Sequence, residues 1–168
     1  MNENVGLIGY GIMGNVIAEK LLLKGYNVLV HDKNPEAISN AKVSGCIVLS
    51  TPKEIAKQAK VVLLSLPHPH NVVNVVRNGP DCLLAGASEG AVLVDTSTVD
   101  SETSQANAEA AKKRGVGYLD CPVLGRPSAA GNWTFPTGGD VEWIEVARPV
   151  LEAFAAKIIH VGPSGHGN

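Results

Sequence analysis

At 168 residues the chain fits one domain and is long enough to bury a substantial core. Hydrophobic residues make up 45% and charged residues 18%, an ordinary globular balance, and the apolar run 61–66 is far too short to cross a bilayer. A net charge of −2 without a basic cluster argues against nucleic acid as a partner.

The chain opens with a short apolar strand, 5–8, and no basic segment, apolar core and cleavage site of a signal peptide precede it. Next comes Gly9-Tyr10-Gly11-Ile12-Met13-Gly14, and then a helix predicted over 13–24 with Met13, Ile17 and Leu21 on one face and Gly25 just past its end. Taken alone, a GxGxxG is weak evidence. Between a strand and a helix, with an acid at a set distance, it is a dinucleotide-binding fingerprint. Gly9 then permits the tight turn, Gly11 lets a pyrophosphate approach the backbone, and Gly14 lets the helix pack on the strand. The free N–H groups and positive dipole end of the helix suit a diphosphate. A second apolar run, 26–30, leads into His31-Asp32, and Asp32 lies 18 residues after Gly14. That is close to the spacing of about 20 expected of the carboxylate that grips the adenine ribose diol.

Further along, Asn34-Pro35 starts a short helix that Gly45 stops, 46–49 reads as a third strand, and Thr51-Pro52 starts another short helix. The wholly apolar 61–64 reads as a central strand of a parallel sheet covered on both faces. Segments 71–76 and 82–85 read as short helices, and 92–94 as a fifth strand. Asp100 or Ser101 caps a helix running to Arg114, before a sixth strand at 116–119. A loop follows over 125–131. A strand is expected at 133–136, a helix over 142–155 that Pro149 interrupts or restarts, and a last strand at 158–161. This alternation predicts an α/β fold, a Rossmann-type doubly wound, mostly parallel sheet with helices on both faces. The domain is expected over residues 1–162, with 163–168 as a glycine-rich linker.

Several segments together resemble the β-hydroxyacid dehydrogenase family, which includes 3-hydroxyisobutyrate dehydrogenase and the cofactor domain of 6-phosphogluconate dehydrogenase, with imine reductases as relatives. The resemblance covers nearly the whole chain. It is carried by 6–14, by Ser65-Leu66-Pro67, by Asp95-Thr96-Ser97-Thr98 (the family's D-x-S-T), by Asp120-Cys121-Pro122-Val123 and by Gly138-Gly139-Asp140. It implies an oxidoreductase that moves hydride between a nicotinamide cofactor and a small 3-hydroxyacid or related carbonyl or imine. NAD is expected from Asp32, with NADP open because Lys33 is adjacent. The residues expected at the cofactor are Gly9, Tyr10, Gly11, Ile12, Met13, Gly14, Asp32, Lys33, Leu66, Pro67 and Thr98. Those expected at the substrate are Ser97, Leu124, Gly125 and Arg126.

Two departures stand out. The family's loop continues Ser-Gly-Gly where this chain reads Leu124-Gly125-Arg126, so an apolar side chain and a guanidinium replace a hydroxyl and a glycine. The family's catalytic lysine, and the all-helical domain after it, have no counterpart within the 168 residues. The resemblance therefore implies the cofactor half of a two-domain enzyme, inactive alone. A reading of another class is a non-catalytic nucleotide-binding sensor or interaction module.

Other residues read as bland. His68-Pro69-His70 lacks further clustered ligands, so no metal site is expected. His160, Trp133 and Trp143 read as structural, Ser97 lacks the context of a hydrolase nucleophile, and Cys121 reads as a small buried filler. The cysteines, Cys46, Cys82 and Cys121, are odd in number and form no CxxC, which implies a reducing compartment and a cytoplasmic location. The expected partner is a small-molecule substrate, with no membrane, and a homo-oligomer is left open.

Overall fold

A computed structural model describes residues 3–168; residues 1 and 2, where the expected domain begins, lie outside the described residues. Eight strands form one sheet in the order β3-β2-β1-β4-β5-β6-β7-β8. In chain order the elements are β1 (Asn4–Ile8), α1 (Ile12–Leu23), β2 (Asn27–His31), α2 (Pro35–Val43), β3 (Ile47–Val48), α3 (Pro52–Ala56), β4 (Val61–Leu64), α4 (Pro69–Arg77), β5 (Val92–Asp95), α5 (Ser101–Lys112), β6 (Gly117–Asp120), β7 (Trp133–Gly138), α6 (Val141–Leu151) and β8 (Ala155–Gly162). Neighbouring strands run parallel except β6 and β7, which meet antiparallel at Asp120 and Gly138.

Strand alternation divides the core into two layers. Val5, Leu7, Val28, Val30, Val61, Leu63, Val92 and Val94 face one layer, where they meet Ile17 and Leu21 of α1, Ala37 and Ala41 of α2, and Ile144 and Val150 of α6. Ile8, Leu29, Val62, Leu64 and Leu93 face the other, against Ile55 of α3 and Val72 and Val76 of α4. Burying one such aliphatic side chain is worth about 1.5–3 kcal/mol. All four residues of β4 are buried, because β4 is central and covered on both sides. The helices thus lie on both faces, as the sequence predicts.

Local differences have local causes. α4 begins at Pro69 rather than 71, since a proline at the first helical position needs no N–H partner. Segment 82–85 tightens into a 3₁₀ turn at Leu83–Ala85. α6 runs through Pro149 without interruption and ends at Leu151 rather than 155. The missing N–H of Pro149 falls in the last turn, where only one helical bond is lost. Phe154 then turns inward, fully buried, with its ring edge-on to Trp133 and Phe135, and β8 starts at Ala155, three residues earlier than expected. β3 is only two residues long, at the sheet edge. Among the described residues no helix is long and apolar enough to cross a membrane.

Candidate functional site

The strand order reverses between β1 and β4, since the chain fills β2 and β3 on one side of β1 before crossing to β4 on the other. In open α/β sheets the crevice at the carboxyl ends of two such strands is where ligands bind. The glycine turn sits there. Gly9 has φ +95°, in the left-handed region, and a side chain on it would overlap the Ser65 carbonyl at the end of β4. Its N–H donates to the His31 carbonyl at the end of β2 over 2.9 Å. A side chain on Gly14 would overlap the Gly9 carbonyl, so α1 approaches β1 only because that residue is glycine. Gly11 differs. Its φ of −74° suits any residue, and a Cβ there would meet nothing within 4 Å. Glycine at 11 leaves open space rather than relieving a crowded backbone.

That space is one end of a cleft of about 570 Å³, lined by Gly9, Gly11, Ile12 and Met13 from the turn, His31 to Asn34 and Ala37 from the β2 end, Ser65 to Pro67 after β4, and Asn71 and Val75 of α4. No side chain caps α1 and its first turn holds no acid. Its leading amides therefore have no intrahelical partner and open onto the floor of the cleft, where the positive end of the helix favours an anion. Asp32 stands over the turn, half-buried. Its Oδ2 accepts the Tyr10 N–H at 2.6 Å and its Oδ1 the Asn34 N–H at 2.8 Å. A carboxylate has about four acceptor positions, so two backbone bonds hold it in place and leave capacity for a ligand diol.

Of the expected cofactor residues, Gly9, Gly11, Ile12, Met13, Asp32, Lys33, Leu66 and Pro67 line this cleft. Gly14 and Tyr10 stand behind it. The Tyr10 ring is buried in the α1–α2 layer, where burial raises its phenol pKa, and the residue reaches the site through its backbone only. Thr98 is exposed on the loop after β5 and is not part of the cleft. Sequence reading missed Ile8, His31, Asn34, Ala37, Ser65, Asn71 and Val75; the spacing of four between Asn71 and Val75 on α4 is the signal that finds the last two.

The expected substrate residues lie elsewhere. Ser97 is 5% exposed, and its Oγ accepts the Leu66 N–H over 2.9 Å. Leu124, Gly125 and Arg126 are exposed on the loop after β6. That loop is held by Trp133, whose Nε1–H donates to the Arg126 carbonyl at 2.8 Å and whose indole leaves no room for a side chain at Gly125. The Arg126 guanidinium has no part in that bond. Cys121 is fully buried and burial pushes its thiol up to about 12, so it is no thiolate at neutral pH. The His160 ring is tied to the Gly139 carbonyl at 2.9 Å, and Trp143 lies against Gly117, which suits the structural roles expected of both. His68 and His70 stack at 5.5 Å, and among the described residues no group of three or more His, Cys, Asp or Glu is placed to hold a metal.

At the end of β5 and β6 two fully buried carboxylates sit side by side in register, Asp95 and Asp120. Asp120 accepts the N–H groups of Gly165 (2.8 Å) and Gly167 (2.7 Å). Asn168 donates to Ser104 at 2.9 Å and Ser101 to the Gly165 carbonyl at 2.7 Å. Segment 163–168, read from sequence as a linker, is therefore folded onto the sheet end.

Compared with known proteins, residues 4–162 match the family model described as the NAD binding domain of 6-phosphogluconate dehydrogenase. Over 165 residues the chain is 34% identical to the mitochondrial 3-hydroxyisobutyrate dehydrogenase of Mus musculus, covering 97% of this chain and 49% of that protein. Among solved structures, Mycobacterium tuberculosis 3-hydroxyisobutyrate dehydrogenase with L-serine superposes with a TM-score of 0.89 at 32% identity, over 99% of this chain and 57% of that one. Psf3 in complex with NADP+ and 2-OPP superposes with a TM-score of 0.92 at 28% identity, over 97% of this chain and 58% of that one. The chain spans about half the length of the curated relatives it matches.

Proposed function

This chain belongs to the NAD-binding domain family of 6-phosphogluconate dehydrogenase, within the β-hydroxyacid dehydrogenases, and we propose that it is the cofactor-binding half of an oxidoreductase transferring hydride between NAD and a small 3-hydroxyacid or a related carbonyl or imine. The observation that carries the reading is one cleft in which a half-buried carboxylate, Asp32, stands over the open first turn of α1.

In this reading the adenine ribose hydroxyls donate to Asp32, and the pyrophosphate rests on the amides of Ile12 and Met13 beside the space that Gly11 leaves. Leu66 and Pro67 form the apolar wall opposite. Bound NAD supplies the hydride chemistry; the chain supplies binding, orientation and exclusion of water. A 2′-phosphate would meet the Asp32 carboxylate, and Lys33 beside it is exposed and only partly offsets that repulsion. We therefore favour NAD over NADP. Thr98 would stand on the nicotinamide side, and the substrate would approach the 124–126 loop, where the Arg126 fork suits a carboxylate. Ser97 is less available than the family resemblance implies, since its hydroxyl already serves Leu66. Three buried free cysteines support a reducing compartment, the cytoplasm in our reading.

Reduction of a carbonyl needs a proton donor at its oxygen and oxidation of the hydroxyl needs the same group as proton acceptor, and the family's lysine for that role has no counterpart among these residues. NAD titration by calorimetry should show saturable binding by the 168-residue chain. The same chain should form no NADH at 340 nm from a panel of small 2- and 3-hydroxyacids. Turnover by this chain would show that its active site lies within residues we assign otherwise.

A further inference from the structure

A line of hydrogen bonds runs from the surface of α4 to the wall of the cleft, and the chemistry of its members sets its direction. Arg77 can only donate, and its Nε–H goes to Asn107 Oδ1 at 2.9 Å. That turns the Asn107 amide N–H toward the Tyr118 hydroxyl oxygen, 3.3 Å away. The Tyr118 proton is left for Asp95, whose Oδ2 accepts it at 2.8 Å. The other oxygen, Oδ1, accepts the Ser97 N–H at 3.0 Å, and Ser97 Oγ accepts the N–H of Leu66 at 2.9 Å. Asn107 and Asp95 are fully buried. Every bond is made when Asp95 is an ionised, acceptor-only group. A second tie, from Thr96 Oγ1 to the Leu64 carbonyl at 2.7 Å, joins the same two strand ends.

We propose that Asp95 and Ser97 are positioning residues for the nucleotide, holding the 65–67 turn at the height where Leu66 and Pro67 wall the cleft opposite Asp32. The assignment rests on the nucleotide reading above and gives Ser97 a task on the cofactor side. Without the Ser97 acceptor, the turn after β4 keeps its ladder bond from the Ser65 N–H to the Ile8 carbonyl but loses the tie that orients Leu66.

The arrangement depends on pH. Burial pushes the Asp95 carboxyl up to about 6 against its stabilising bonds from Ser97 and Tyr118. The charged and titratable groups around it are Tyr118 and Asp120 on β6, Cys121 just after β6, and Arg77 of α4 acting through Asn107 of α5. A protonated Asp95 turns an O–H against one of its two donors, so one bond of the line must break.

The test is NAD affinity by calorimetry between pH 5 and 8, on the 168-residue chain, with a thermal melt to establish that each variant is folded. Ser97→Ala should raise the NAD dissociation constant about tenfold at pH 7.5, the scale of one lost hydrogen bond, and Ser97→Thr should restore it to within about threefold. Asp95→Asn keeps the volume but places an N–H₂ against a donor. It should weaken binding to a similar degree and remove the loss of affinity expected of the wild type below pH 6. If Ser97→Ala fails to fold, Ser97→Cys, with a poor acceptor of nearly the same size, takes its place. Wild-type affinity in folded Ser97→Ala or Ser97→Cys overturns the proposal alone. A wild-type chain that does not bind NAD overturns the nucleotide reading, and the proposal with it.

Discussion

Three aspartates mark the carboxyl ends of parallel strands, and the two regions they occupy behave in opposite ways. Asp32, at the end of β2, accepts two loop amides yet remains half-buried beside a cleft, next to a two-residue edge strand and an exposed lysine. Asp95 and Asp120, at the ends of β5 and β6, also accept loop amides but are sealed in by α5 and the folded-back 163–168 segment. Similar sequence positions thus leave a carboxylate open to a cleft in one place and two carboxylates closed off in the other. Residual acceptor capacity and exposure to the cleft make the difference, rather than the residue type. Glycine shows the same split: Gly9 and Gly14 relieve backbone overlap, whereas Gly11 keeps space free.

The largest effect should come from filling that space. Gly11→Val has no internal clash to relieve and no unusual φ to strain, so the melting temperature should stay within a few degrees while NAD affinity falls at least about a hundredfold, or about 3 kcal/mol. Unchanged NAD titration in the folded variant would remove the turn from the binding site.

On the buried side, pH should separate Asp95 from an ordinary carboxylate. Its folded pKa of about 6 lies above the ordinary 3.8, so the folded state holds the proton more tightly than the unfolded chain. Its contribution therefore favours folding below pH 4 and is lost as pH rises to 6, by about 3 kcal/mol in all. Denaturant melts at pH 4 and 7 should show Asp95→Asn gaining on the wild type by up to that amount as pH rises. Parallel wild-type and variant curves would mean that the Asp95 carboxyl holds its proton no more tightly in the fold than in the unfolded chain.

A smaller change should sharpen the exposed side. The wild type should prefer NAD to NADP ten- to a hundredfold, about 1–3 kcal/mol of charge repulsion. Asp32→Asn keeps an acceptor for the Tyr10 N–H, loses the one for the Asn34 N–H and drops the charge, so the preference should shrink toward unity while NAD affinity falls about tenfold. Competition titrations that find the same ratio in both proteins would mean that Asp32 does not read the ribose.

Much of this was legible in the sequence because its signals are local. Glycine spacing, the acid at the end of the second apolar run and the continuous run at 61–64 each report a period or a turn that nearby residues impose. Tyr10 and Ser97 were less legible, because a motif names a residue without saying which way its side chain faces. Tyr10 turns into the core, and Ser97 is engaged by Leu66 from another strand, 31 positions away. Pro149 misled for a related reason: its cost depends on how close the helix end lies, and burial of Phe154 places that end.

By itself, then, the sequence determined the alternation of strands and helices, the glycine turn between β1 and α1 and the acid that faces it, since these depend on residues within about 25 positions of one another. Only the tertiary structure decided the strand order with its reversed β7 and β8, the fold-back of 163–168 onto Asp120, and which aspartate is open and which is sealed. Those outcomes depend on contacts between residues 30 to 70 positions apart, and on burial, which removes water from one carboxylate and leaves it to another.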